Sequence, residues 1–381
     1  MKWGRLYVLC LSVAGLPACG AAAVQQPPPA RAVASIPASP RPQMAAAEGA
    51  ERPPPDGPIT AALRAETVER LAKALGESYV FPEKGARAQA ALRARAKRGE
   101  YDSIATGNAL ATALTAHTNE ILQDVHFRVR FSLDELPARP AANKPTAEEI
   151  AEHEELGRQR NGGFERVERL PGNIGYVEVR SFGMTRRGYD AAAAAMGFVA
   201  QTDALIIDIR RNGGGDPDMV AALCSYFFPE PVHLNDLYFR PENQTRQFWT
   251  SGVVPGARYL GRDIYVLTSR RTGSAAEEFA YNLQQLKRAT LIGEVTWGGA
   301  HPGDRVRLSA HFSAFVPTGR AINPVSKTNW EGVGVKPDVA AAGDDALRVA
   351  QVMAVEKRVA ATKDPELRRA LEERLKELGP R

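Results

Sequence analysis

Two short stretches of this chain carry residue types that could do chemistry. The first is Thr272-Gly273-Ser274-Ala275-Ala276-Glu277-Glu278, which follows an apolar run and opens a helical pattern. A serine there stands at a helix amino terminus, where free amides and the helix dipole favour negative charge on its oxygen or on a bound carbonyl. The same residue has a structural reading, because Ser274 with Glu277 is also a capping box. Taken alone, the residues leave both readings open, and a cap is the commoner use of such a serine. The second stretch is Asp208-Ile209-Arg210-Arg211-Asn212-Gly213-Gly214-Gly215-Asp216. Consecutive glycines allow backbone conformations closed to other residues, and their amides can meet an anion or a developing oxyanion. The spacing fits neither a phosphate loop nor a dinucleotide fingerprint, so no nucleotide cofactor is expected.

Both stretches need elements to position them. Ile174–Val179, Ala204–Ile209, Ile264–Thr268 and Thr290–Gly293 are short apolar runs that read as strands. Tyr189–Ala200, Met219–Phe228 and Ala275–Leu286 read as the helices between them. Alternating strands and helices predict an α/β core, placed at residues 171–343. Upstream, Leu63, Val68, Leu71 and Leu75 recur near the helical period, and Ala88, Ala91 and Leu92 continue it after Phe81-Pro82. Residues 59–131 are therefore expected to form a small helical domain, closing on Val125–Phe131, which alternates as a half-buried strand does. Residues 132–170 read as a charged connection with a short helix near Glu148–Gly157, and 344–381 as amphipathic helices broken at Asp364-Pro365.

Residues 1–18 carry Lys2, Arg5 and an apolar run from Leu6 to Leu16, the build of a secretory signal too short to span a bilayer. The run ends in Leu16-Pro17-Ala18-Cys19-Gly20, which resembles a lipoprotein lipobox, so lipidation at Cys19 is expected over a plain signal peptide. Residues 19–58, rich in Ala and Pro, read as a tether from that lipid anchor to the body. This predicts an exported, periplasmic or cell-surface lipoprotein. A composition of 44% hydrophobic and 24% charged residues excludes a disordered chain, and three cysteines exclude a disulfide framework. Part of the +5 net charge comes from Lys2, Arg5, Arg31, Arg41 and Arg52, and the nearly neutral remainder offers no nucleic-acid footprint. There is no Cys-x-x-Cys pair and no His-Glu-x-x-His, so no metal site is expected.

Five ordered blocks resemble one family. They are Asn173–Val177, the Asp208–Gly215 turn, Leu267-Thr268-Ser269 with Ser274–Phe279, Arg288–Thr296, and Trp330-Glu331-Gly332-Val333-Gly334-Val335-Lys336-Pro337-Asp338. Together they are similar to the tail-specific, or C-terminal processing, serine peptidases, whose core has ClpP/crotonase-like layers. Ser78–Pro82 and Gln123–His126 extend the likeness toward the interphotoreceptor retinoid-binding protein branch. The resemblance implies a nucleophile at Ser274, an acyl-enzyme route and protein or peptide substrates. Where the dyad branch carries its lysine base this chain has Gly299, so that mechanism is excluded. The tricorn-like branch uses a histidine and a late glutamate, which implies His126 and Glu331, although Val125 stands where that branch has a second serine. His301 is a rival base or a substrate contact. The oxyanion hole is expected from the amides of Gly214 and Ala275, with Gly213 as the alternative donor. Residues 132–170 are too few for the peptide-binding module that many members carry. A competing reading is a catalytically silent carrier of retinoid- or fatty-acid-like ligands on the same fold, which would leave Ser274, His126, Glu331 and the glycine turn unexplained as a set.

Overall fold

The computed structural model describes residues 55–137, 147–183 and 186–380. The signal segment, Cys19 and all but the last residues of the tether lie outside the described residues. In chain order the elements are α1 (Ala61–Ser78), α2 (Pro82–Lys97), α3 (Gly107–Leu122), β1 (Arg128–Phe131), α4 (Ala147–Gln159), β2 (Phe164–Leu170), β3 (Ile174–Val179), α5 (Arg186–Val199), β4 (Ala204–Asp208) and α6 (Pro217–Cys224). There follow β5 (His233–Phe239), β6 (Gln244–Trp249), β7 (Asp263–Thr268), α7 (Ala275–Gln285), β8 (Thr290–Gly293), β9 (Gly303–Arg307), β10 (Phe312–Pro317), β11 (Gly319–Ile322), β12 (Val339–Ala340), α8 (Ala346–Ala361) and α9 (Pro365–Leu378). No helix among the described residues is long and apolar enough to cross a membrane.

The core is a six-stranded sheet in the order β12-β8-β7-β4-β3-β2, parallel except for the antiparallel edge strand β2. Its central strands are apolar at nearly every position because both faces are covered. Val177, Leu205, Ile207, Ile264 and Val266 point into one core with Ala195 and Met196 of α5, Val220 of α6 and Phe279 of α7. Their sequence neighbours Tyr176, Ile206, Tyr265 and Leu267 point into a second core under α8 and α9. Each fully buried Leu, Ile, Val or Phe contributes about 1.5–3 kcal/mol, so this two-sided burial holds the sheet rigid beneath its loops.

Three boundaries differ from the sequence reading. Strand β2 falls inside the stretch read as a connection, where it pairs along β3, and the segment is sheet from Phe164 onward. The helical region does not close on itself: Leu71, Leu75, Leu110 and Phe127 share one core with Leu308, Phe312 and Val316, and β1 pairs with β10 in a three-stranded sheet with β9. The last helices belong to the core, since they cover the second face of the large sheet. A further sheet, β11-β5-β6, lies where no element was expected.

The parallel neighbours β8, β7 and β4 place their following loops along one sheet edge. Ligand sites in open α/β sheets gather outside the carboxyl ends of such strands. The glycine turn follows β4, Ser274 follows β7, and Trp297–His301 follows β8.

Candidate active site

Ser274 sits just before α7 with φ 54° and ψ −123°, a conformation that costs a non-glycine residue of order 1–3 kcal/mol. The surroundings hold it there. Ser274 N–H donates to Glu277 Oε2 at 2.8 Å, and Gly273 N–H donates to the Asn212 carbonyl at 3.0 Å. Thr272 Oγ1 donates to the Ile209 carbonyl at 2.9 Å, so the turn after β7 is laced to the turn after β4.

The glycine turn meets this elbow directly. Gly214 has φ 119°, and a side-chain carbon on it would come within 2.8 Å of Ser274 Cβ and 3.1 Å of Ala275 N, so only glycine fits. Asn212 shapes the turn from inside: it is fully buried, donates to the Val179 carbonyl and accepts the Gly214 N–H at 2.8 Å. That last bond bears on the expected oxyanion hole, because the Gly214 amide is already engaged. The amides of Gly213 and Ala275 have no hydrogen-bond partner among the described residues. Of the three candidate donors, the amides of Gly213 and Ala275 are therefore the two left open among the described residues.

Glu277 does more than cap the helix. Its buried carboxylate accepts Ser274 N–H, Gly299 N–H (2.9 Å), Gly298 N–H (2.5 Å) and Thr296 Oγ1–H (2.5 Å). Burial raises its pKa to about 7, against the pull of those bonds. It ties the Ser274 backbone to the turn after β8. Gly299, at the place of the dyad lysine, is packed against a histidine: a Cβ on it would fall 2.4 Å from His126 Cε1 and 2.6 Å from Trp297 Cζ3. No side chain fits at 299 while His126 occupies its position.

His126 lies ahead of β1 and not within it, on the chain that leaves α3 through Gln123 in the left-handed conformation. Its ring stands edge-on to Trp297, with centroids 4.7 Å apart. Its Nδ1 is buried with no hydrogen-bond partner among the described residues. Burial lowers its pKa to about 4, so the imidazole is neutral at pH 7.

Glu331 comes to the same place from the loop before β12. Its Oε1 accepts Val125 N–H at 3.3 Å and its Oε2 accepts Ala300 N–H at 2.6 Å. Burial, reinforced by the nearby Asp124 charge, raises its pKa to about 7. Its nearest basic nitrogen is His301 Nδ1, at 3.6 Å. His301 is held more tightly by Asp124, 2.7 Å from Oδ2, while Tyr79 O–H donates to that same oxygen at 3.1 Å. Asp124 Oδ1 accepts the His126 N–H at 3.0 Å. Donor atoms of Asp124, His126 and Glu331 lie within 4.8 Å of one another.

The structure thus brings Ser274, Gly213, Gly214, Ala275 and Gly299 into one network, and His126, Glu331 and His301 into an adjoining one, with Gly299 against His126 as the seam. Cys19 lies outside the described residues. Sequence reasoning did not single out Asp124, Tyr79, Asn212, Trp297 or the wider role of Glu277. For Asp124 a signal was present, an acid two residues before a candidate base.

A profile described as "Peptidase family S41" matches residues 173–341, and one described as the "N-terminal domain of Peptidase_S41 in eukaryotic IRBP" matches residues 61–159. Among curated relatives, a tricorn protease of Thermoplasma volcanium is 29% identical over 133 residues, 35% of this chain and 12% of that protein. A carboxyl-terminal-processing protease of Synechocystis is 30% identical over 128 residues, 33% of this chain and 28% of that protein. The matches thus span well under half the length of these relatives. A solved structure of a putative peptidase from Parabacteroides merdae superposes with TM-score 0.53 at 22% identity, covering 75% of this chain and 92% of that one. A lipoprotein from Streptococcus agalactiae gives 0.52 at 13% identity, covering 78% and 98%. At such identities the likeness is one of fold. The fold is of the α/β peptidase class. Residues 173–341 thus match peptidase family S41, and residues 61–159 that family's N-terminal domain.

Proposed function

We propose that this protein is a serine peptidase that cleaves protein or peptide substrates through an acyl-enzyme on Ser274. His126 takes the hydroxyl proton as Ser274 Oγ attacks the scissile carbonyl, then returns it to the leaving amine. The resulting ester is hydrolysed by water activated at the same histidine. A neutral imidazole is the form this role needs, and Asp124 and Glu331 supply negative charge beside the imidazolium as it forms. The tetrahedral oxyanion is met by the amides of Ala275 and Gly213, each contributing about 3 kcal/mol by analogy with other acyl-transfer sites.

The observation that carries this reading is Ser274 itself: a serine held at φ 54° at a helix amino terminus and pressed against a glycine turn, where the amides of Gly213 in the turn and Ala275 in the helix have no partner among the described residues. Its test is hydrolysis of an unstructured protein such as casein by the wild-type chain and by Ser274→Ala. Cleavage by the first alone supports the reading; equal cleavage, or none by either, refutes it. We place the enzyme outside the cytoplasm, anchored through lipid on Cys19. Cys19→Ala is then expected to move it from the membrane to the soluble fraction.

A further inference from the structure

The cluster behind the seam has the makings of a ligand set. Asp124, His126 and Glu331 offer two carboxylates and one imidazole with donor atoms within 4.8 Å of one another. His126 has a buried Nδ1 that no hydrogen bond among the described residues uses. A buried imidazole nitrogen without a partner, on a ring set beside two carboxylates, has the chemistry of a metal ligand.

We propose that Asp124, His126 and Glu331 bind a zinc ion. Zinc takes imidazole nitrogen and carboxylate oxygen at roughly 2.0–2.2 Å, so the donors need to close by about 1 Å, within reach of side-chain rotation. The supporting shell is in place. Tyr79 O–H and His301 Nδ1 hold one oxygen of Asp124, and the His126 N–H holds the other. Val125 and Ala300 amides hold the two oxygens of Glu331. Such outer bonds orient metal-ligating carboxylates. One nitrogen and two carboxylates suit zinc with a water as fourth ligand, whereas calcium takes six to eight oxygens. Two carboxylate charges balance the ion. Zinc held by His126 ties up the base, so the ion acts as a reversible brake on acylation. That consequence, unlike the binding itself, rests on the peptidase reading.

The test is calorimetric titration of zinc chloride into the chelator-stripped full chain. Wild type and Ser274→Ala are expected to bind one zinc per chain, and Asp124→Asn, His126→Gln and Glu331→Gln to weaken it at least about tenfold. His311→Ala, altering a histidine that contacts Ser132 and Phe131 elsewhere, is expected to bind as wild type does. For any variant that melts early, the wild-type chain supplies the second measure: its melting temperature is expected to rise and level off at one equivalent of zinc. No one-to-one binding by wild type, or binding unchanged in the folded ligand variants, overturns the site. A chain that binds zinc at these residues but never reacts with a fluorophosphonate keeps the zinc site and loses the peptidase reading. One that reacts but binds no zinc does the reverse.

Discussion

Gly299→Ala perturbs the seam between the two networks with the smallest possible change. The added carbon would lie 2.4 Å from His126 Cε1 and 2.6 Å from Trp297 Cζ3, where carbon pairs settle at about 3.5–4.0 Å. The His126 ring, or the indole that flanks it, must therefore withdraw by about 1 Å. Overpacking of this kind costs about 1–3 kcal/mol of stability, read from urea unfolding. Displacing a catalytic base by about 1 Å costs on the order of 100-fold in rate. The assay is the rate of fluorophosphonate labelling, with Gly197→Ala as control. Gly197 lies on the exposed face of α5 with nothing within 4 Å, so alanine there is expected to leave labelling unchanged and to add about 0.8–1 kcal/mol of helix stability. A folded Gly299→Ala chain that labels at the wild-type rate would refute the assignment of His126 as the base seated at this position.

Two other predictions follow from the buried charges. His126 is a base only when neutral, above about pH 4, and Glu331 carries charge above about pH 7, so acylation by the wild type is expected to climb with pH and level off above about 7. Glu331→Gln should lack the upper limb and keep the one near 4; a variant retaining the limb near 7 contradicts the role given to Glu331. Glu277→Ala strands the N–H groups of Ser274, Gly298 and Gly299 and the Thr296 hydroxyl, at about 1–3 kcal/mol for each donor left unsatisfied. Its urea midpoint should fall steeply, and a loss below about 1 kcal/mol would show that the network does not hold the elbow.

What was legible in the sequence was whatever the chain keeps local. The strands Ile174–Val179 and Thr290–Gly293 have the predicted ends because a run buried on both faces must be apolar throughout and must stop where polar loop residues resume. Ser274 was legible for the same reason, as a residue between a strand and a helix. His126, Glu331 and His301 were reached only through the family resemblance, and that Tyr79 and Asp124 join them was not legible, because these residues come from distant parts of the chain and meet only once α3, β8 and the loop before β12 are packed. No spacing rule for metal ligands could find donors at 124, 126 and 331. Strand β2 was hidden by its place at the sheet edge, where its exposed positions carry Glu165, Arg166 and Arg169 and read as a connection. The engagement of the Gly214 amide was not legible either: nothing in three successive glycines announces that the Asn212 side chain will occupy it.

The central claim is that Ser274 is a nucleophile activated by His126. Its most direct test is to react the wild-type chain with a fluorophosphonate and locate the adduct by peptide mass spectrometry, alongside Ser274→Ala, His126→Ala and His301→Ala. The account predicts a single adduct on Ser274, none in Ser274→Ala, a near-complete loss in His126→Ala and retained labelling in His301→Ala. An adduct on another residue, or labelling that persists without His126 and vanishes without His301, would contradict it.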